Sequence, residues 1–497
     1  MKKLFLLVSV LSTTLVSAQG NGTLDLTFNT TGYNLVNING NDNAQALVIN
    51  SDSSILIGGS IGTSGNLNIG VKKIFPNGTL DSNFGTSGSF TFDFGGFSDF
   101  CYDMALQSDG KIILAGAAGV TAANPDFLAI RLNANGSLDS TFGNQGIVKI
   151  EINTGEDYAK SLVIQPDGKI VLAGYSNTPG FSFKNAALVR LNIDGTLDSS
   201  FGNAGVSVLP ISLATEDIES IVQISNGDYR AVGKGGTTSA QNMIIYGILN
   251  DGNLDASFGT NGYINNTSLE FAYDLKERFN QLYIAGKIGS SGGIYVTDIN
   301  GNPNATFANN GLAIGNLNAD LVYLTVHVLE DSTIIVGGST TISFLVRDMV
   351  VAAYNADGTI NTDFGTSGNA IINTGGFEDV NDIAIQQDGK IVGAGLSSQS
   401  GGNDMVVFRL ENQIITSSLN ATKNYLSVYP NPLTGNEISV LNIGNKNMPY
   451  QFIDLHGKLI QTGFTDGKIE FKKDLDHGIY LLKILSNGEE QRFKIVK

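Results

Sequence analysis

The sequence predicts an all-β protein: a seven-bladed β-propeller followed by a small Ig-like β-sandwich domain. Two markers recur seven times each, every repeat divides into four short strands, and the pattern changes abruptly after Leu410.

The first marker is Gly-Thr-Leu-Asp-x-x-Phe-Gly-x-x-Gly. Its Asp, or an equivalent Asn, falls at Asp25, Asp81, Asp139, Asp198, Asp255, Asn304 and Asn361. The second is typified by Asp-Gly-Lys-Ile-Val-Leu-Ala-Gly. It falls at Asp52–Gly59, Asp109–Gly116, Asp167–Gly174, Asn226–Gly233, Asn280–Gly286, Asp331–Gly338 and Asp388–Gly395. The first marker returns every 49 to 59 residues, longer than the usual β-solenoid coil. In the third repeat, residues 147–152 alternate apolar with charged side chains, as a half-exposed strand does. Residues 159–165 follow as a strand, then the turn Pro166-Asp167-Gly168, an aliphatic strand over 169–173 and a fourth over 187–192. About 390 residues is too many for one continuous core, whereas a propeller divides burial among layers between blades.

The first marker reads as turn chemistry. Ser137 is placed to cap a single helical turn, Asp139 sits near its positive end, and Gly143 closes it in the left-handed region. Leu138 and Phe142, four residues apart, point the same way and fill the gap between blades. As a lost turn interaction, Asp139 is expected to contribute about 0.5–2 kcal/mol. Together, the segments Leu-Asp-Ser-Thr-Phe-Gly-Asn-Gln-Gly, Pro-Asp-Gly-Lys-Ile-Val-Leu-Ala-Gly and Ala-Leu-Val-Arg-Leu-Asn-Ile-Asp-Gly resemble the delta-60 repeat family of bacterial β-propeller-like proteins. The resemblance spans about Leu24 to Leu410 and implies architecture, with no catalytic residue to carry over.

Residues 1–18 read as a signal peptide. Lys2 and Lys3 precede an apolar stretch over 4–16, and Val16-Ser17-Ala18 offers cleavage between Ala18 and Gln19. The stretch is short of the roughly 20 apolar residues a membrane span takes, so no transmembrane anchor is expected. One cysteine, Cys101, excludes an internal disulfide framework and is expected to be a buried small hydrophobe. Three histidines, His327, His456 and His477, leave too few for a His-rich zinc site or a Ser-His-Asp triad in the large domain. The chain carries a net charge of −17. Residues 423–497 hold ten basic and eight acidic residues, which with Lys2 and Lys3 leaves the repeat region at −21. That field disfavours nucleic acid and anionic lipid as partners.

The division expected is a propeller over 19–410, a polar linker over 411–423 and a separate domain over 424–497. The last region alternates short strands with turns, the pattern of a β-sandwich. It resembles the type A sorting domain of type IX secretion substrates through Tyr429-Pro430-Asn431-Pro432, Asp454-Leu455-His456-Gly457-Lys458, Gly478-Ile479-Tyr480 and Lys494-Ile495-Val496-Lys497. The resemblance implies passage through the periplasm, recognition of the tail by the type IX machinery, and release or surface attachment after the tail is lost.

Function is less legible. The expectation is a secreted or surface binding, adhesion or scaffold module for an extracellular glycan or protein. Its variable segments, Ser176–Lys184, Gly235–Gln241, Gly289–Gly293 and Ser397–Asn403, supply recognition loops. The alternative is a glycan-cleaving enzyme using paired carboxylates, but the sequence singles out no pair and no cofactor. A second repeated carboxylate precedes one strand of each blade: Asp42, Asp99, Asp157, Asp217, Glu270, Asp320 and Asp379. Near-equal offsets bring these to similar heights on one face. They are candidate Ca²⁺ ligands, or acceptors in Asx-turns.

Overall fold

The computed structural model describes residues 20–412 except 39, 64, 96, 120–123, 178–182, 212–214, 238–239, 318, 344–345 and 400–401. In the tail it describes 427–497 except 430–436, 442–447, 455–457, 466–467, 472–474, 476–477 and 487–488. The signal-peptide segment with Ala18 and Gln19, most of the linker, and sorting-motif residues 430–432 and 455–457 lie outside the described residues. The chain divides into two compact units, one holding the repeats and one the tail.

The repeat unit is a β-propeller. Among the described residues, seven antiparallel sheets follow one another along the chain, and no helix occurs. Numbered by their channel-side strands, the blades begin with Asn43–Ile49, Phe100–Leu106, Asp157–Ile164, Ser220–Gln223, Phe271–Arg278, Asp320–Val328 and Glu378–Ile385. In blade 3 the order outward is Asp157–Ile164, Ile170–Asn177, Lys184–Leu191 and Val206–Leu209. The second and third strands are buried almost throughout, being covered by neighbouring blades on both faces. The ring closes through a seam. Tyr33–Val36, the first strand of the chain, forms the outer strand of blade 7 by pairing with Asp404–Leu410.

Two recurrent glycine positions have a steric reason, the turn glycine in four repeats and the glycine that closes the second marker in all seven. Gly168 turns the chain between the first two strands of blade 3 at φ +85°. The Gly that closes the second marker has ordinary φ but no room for a side chain. A Cβ on Gly59, Gly116, Gly174, Gly233, Gly286, Gly338 or Gly395 would overlap a backbone carbonyl of the channel-side strand, namely that of Asn43, Phe100, Tyr158, Asp217, Phe271, Val322 or Asp379. Just beyond that carbonyl the channel-side strand bulges. In six blades the register skips one residue; in blade 4 it skips Asp217, Ile218 and Glu219.

The first marker works differently from the sequence expectation. The cap of its turn is Asp139 itself, whose Oδ1 accepts from Thr141 N (3.1 Å) and Oγ1 (2.7 Å); Ser137 bonds Asn135 instead. All seven marker residues accept the N–H two positions on. Asp139 Oδ2 also accepts from buried Arg131 Nε at 2.7 Å and from Lys111 at 3.2 Å. Arg131 in turn lies 4.5 Å above the Phe142 ring and donates to the Ile193 carbonyl of the next blade. Blade 3 repeats the device with Arg190, Asp198 and Phe201, and the seam uses Arg409, Asp25 and Phe28. The marker Asp is therefore one half of a buried ion pair as well as a turn former. Glu411 pairs with Lys390 and buried Asn412 donates to the Gly389 carbonyl, so both belong to the propeller and a linker starts after them.

In the tail unit, strands 459–465, 448–454, 479–486 and 489–496 form one sheet in that order, and 427–429, 437–441 and 468–470 form another. Ile438, Val440 and Ile469 of the smaller sheet share one core with Phe452, Leu482 and Ile484 of the larger.

Replacing Asp139 by Ala leaves Arg131 buried without its counter-charge. The expected loss is about 3–5 kcal/mol, above the 0.5–2 kcal/mol of a simple cap, and matching the roughly 3–5 kcal/mol expected for Phe142→Ala. Urea denaturation of the two variants and of Ser137→Ala, which should change little, tests the ranking.

Candidate functional site

Each bulge turns one side chain out of the ladder and toward the central channel. Around the ring these are Gln45, Tyr102, Lys160, Glu219, Tyr273, Leu324 and Asn381, and together they line a cavity at the channel end from which the first strands start. No two neighbours are alike, although the backbone positions are equivalent. The cavity measures about 220 Å³ and its deeper lining adds Asp103, Ser161, Ser220, Asp274, Lys276, Thr325 and Asp382. The adjoining face also carries the incoming loops and the variable second-to-third-strand loops.

The deeper residues follow directly after the bulges and act as joints between blades. Asp103 Oδ2 accepts from Leu162 N of the next blade at 2.7 Å and from Ser161 Oγ at 3.1 Å. Ser161 Oγ accepts from Ile221 N and Ser220 Oγ from Leu275 N. Asp274 Oδ2 accepts from Val326 N at 3.0 Å, Thr325 donates to Asp382, and Asp382 Oδ2 accepts from Leu47 N at 2.8 Å. The belt passes through six of the seven junctions; the equivalent residue in blade 1 is Ala46. Lys276 enters this belt with its ammonium 2.9 Å from Asp274 Oδ1.

Burial sets the carboxylates of this end apart. It lifts Asp382 to about 7, with Lys276 offsetting part of the effect and Asp274 adding to it. Burial raises Asp103 as well, and lifts Asp99 and Asp157 to about 6. Asp217 also reaches about 6, through burial and the nearby Glu219. At the opposite face the sign reverses. Burial opposes ionisation of Asp25, Asp139 and Asp198, but hydrogen bonds from their Lys and Thr or Ser partners and an adjacent Arg hold all three well below the usual carboxylate range. His327 is half-buried and pushed down to about 4 by burial and by Lys276 and Arg278. Cys101 is fully buried, with its thiol pushed up to about 12.

The seven repeated carboxylates that the sequence offered for Ca²⁺ stand apart from one another. Asp42 accepts from Ile38 N and Gly62 N, Asp99 from Phe94 N, and Asp157 from Ile152 N and Asn153 N. Asp217, Asp320 and Asp379 face Lys234, Lys287 and Arg347 at 3.5, 2.8 and 2.7 Å; Glu270 is exposed. Among the described residues, no three His, Cys, Asp or Glu side chains gather as a metal site would require. Asp42, Asp99 and Asp157 are engaged by backbone N–H groups of the loop before their own strand, and Asp320 and Asp379 by a basic residue of the preceding blade.

The family model described as a domain of unknown function (DUF5122) beta-propeller matches residues 51–84, 107–142, 165–201 and 386–413. The model of the secretion system C-terminal sorting domain matches 427–497. Among solved structures, Sqt1 from Chaetomium thermophilum is similar at 12% identity and a TM-score of 0.41, over 76% of this chain and 98% of that one. Drosophila Semaphorin 2a is similar at 10% identity and 0.40, over 93% and 97%. An alpha-L-arabinofuranosidase from Clostridium thermocellum is similar at 12% identity and 0.27, over 55% and 95%. Likeness this distant carries no functional argument. No curated protein matches the chain.

The titration directions fix a pH profile. A carboxyl raised in the folded state stabilises while protonated and loses that contribution as pH rises from about 4 to 7. A lowered one contributes above about 4 and loses it only on acidification. Stability is thus expected to peak at about pH 4–5 and to fall toward pH 8, with Asp382→Asn shrinking the fall. Melting temperatures measured across that range test it. β-Propeller repeats of the DUF5122 kind thus occur within residues 51–413 and a type IX secretion C-terminal sorting domain over 427–497, and that sorting domain indicates export to the cell surface or the extracellular space.

Proposed function

We propose that the propeller is a non-enzymatic binding module whose ligand site is the cavity at the end of the channel, exported through the periplasm and then by the type IX route. The observation that carries the reading is the bulge ring: one backbone position used seven times, with six kinds of side chain facing one small space. Phe97, Ile342 and Phe377 stand exposed on loops of the same face and suit contact with a larger glycan or protein. Glycan cleavage would need a carboxyl free to give its proton to a leaving group. Asp103, Asp274 and Asp382 instead accept backbone N–H groups across blade junctions, an arrangement suited to holding strands. Glu219, the one acid of the bulge ring, faces Lys234 at 3.4 Å. No resident cofactor is part of this reading; the repeated acids serve as loop acceptors.

The purified protein on glycan and polysaccharide arrays should retain a ligand without consuming it, and turnover of any substrate would overturn the non-enzymatic reading. Mass spectrometry of surface and medium fractions is expected to find mature material ending between Asn412 and the sorting domain. Intact Lys497 on all exported material would count against tail removal.

A further inference from the structure

We infer that the cavity selects ligands that carry an oxyanion (a carboxylate, sulfate or phosphate group), held at its rim between Lys160 and Lys184 over the tyrosines of blades 2 and 3. This rests on the cavity being the ligand site. Phe100, Tyr102, Tyr158 and Tyr175 form one continuous array, with successive ring centroids 5.7, 6.1 and 5.2 Å apart. Tyr102 lines the cavity, and the cross-strand pair Tyr158 and Tyr175 carries the array outward. Lys160 Nζ stands 3.5 Å from the Tyr102 centroid, and Lys184 Nζ stands 3.7 Å from that of Tyr175.

Neither ammonium has a carboxylate within 4 Å or a hydrogen-bond acceptor among the described residues. By contrast Lys111, Lys169, Lys234, Lys276 and Lys390 are all ion-paired, in a region where acids are in excess. Ring faces attract a cation but offer it no acceptor. Burial pushes both lysines down; Lys184 and Lys234 add to the effect on Lys160, and Lys234 to that on Lys184. Of the acids that act on them, Asp217 and Glu219 face Lys234 at 3.5 and 3.4 Å, and Glu156 acts more weakly. The hydroxyls of Tyr102, Tyr158 and Tyr175 have no partner among the described residues either. An oxyanion lodged here would accept from the Lys160 ammonium and the Tyr102 hydroxyl at the cavity, as charge-assisted bonds, with the nearby Lys184 adding its positive field.

The cavity floor sets the other end of the ligand. Asp103, Asp274 and Asp382 present carboxyl groups there, and the one lysine, Lys276, is already paired with Asp274, so the floor offers no cation to a second anion. The fitting molecule has an acidic group at one end and a neutral, hydroxyl-rich body at the other. About 220 Å³ corresponds to roughly seven waters at about 30 Å³ each, the scale of a single sugar ring. An acidic saccharide has this chemistry.

Calorimetry of the exported protein with D-galacturonate, D-galactose 6-sulfate, D-galactose and inorganic sulfate tests the assignment. Both acidic sugars are expected to bind at least ten-fold more tightly than D-galactose. Lys160→Met and Lys184→Met should each weaken them at least five-fold with the melting temperature unchanged. Sulfate binding as tightly as the acidic sugars supports the oxyanion site and makes the free ion its ligand. D-galactose binding equally well, indifferent to both lysine variants, overturns the oxyanion assignment and leaves the cavity standing as a site. Silence from all four probes overturns it too. The wider reading then falls separately if Asn381→Leu, which alters the cavity away from both lysines, leaves array retention untouched.

Discussion

The propeller depends on one contact made seven times: a bare glycine Cα in the second strand lying against a carbonyl of the first. With no Cβ to hold it off, the first strand comes close, and the residue two positions after that carbonyl leaves the ladder. A bulge placed this way twists the strand and re-aims a side chain. Here it re-aims one from each blade into the channel, and it sets the following residue against the next blade. Ring closure and channel lining are thus both products of a missing methyl group.

Those two products carry different chemistry. The residues that join blades are Asp, Ser or Thr, with Ala46 as the exception, because reaching a neighbour's N–H takes a short acceptor. The residues that face the channel diverge, from Leu324 to Lys160, and of them Asn381 also bonds Asn43 and Ala44 of the next blade. A scaffold that keeps its joints in one set of positions and its recognition in another can change ligand without disturbing its own assembly.

The all-β repeat architecture and the sorting tail were legible because turns, glycines and the tail's own motifs mark them directly. The burial of Cys101 was legible too. The role of Asp139 was half legible: its turn can be read locally, but its pairing with Arg131 depends on strands folding back from eight positions away. The channel ring was missed although a signal existed. The recurrent glycine at Gly116 or Gly174 reads as a strand end, and only its cross-strand partner turns it into a bulge marker that points to Tyr102 or Lys160. The repeated acids read two ways in the sequence, as Ca²⁺ ligands or as turn acceptors. Equal spacing along the chain gives equal height in a ring, yet lateral separation depends on blade width, which no offset encodes.

The seam has a consequence for how the molecule is made. Asn37 reaches Asp404 across 367 positions, and Asp25 is gripped by Lys390 and Arg409 at 2.6 and 2.7 Å. Nearly the whole chain must be present before the first strand finds its place, so blade 7 is the last to be completed. Until then the channel-side strands of blades 1 and 7 have no neighbour across the gap, and the polypeptide remains an open arc. An arc can be kept in a threadable state and a ring cannot, so the clasp between the two ends acts as a one-way latch: an export route that needs a loosely folded passenger must act before it shuts.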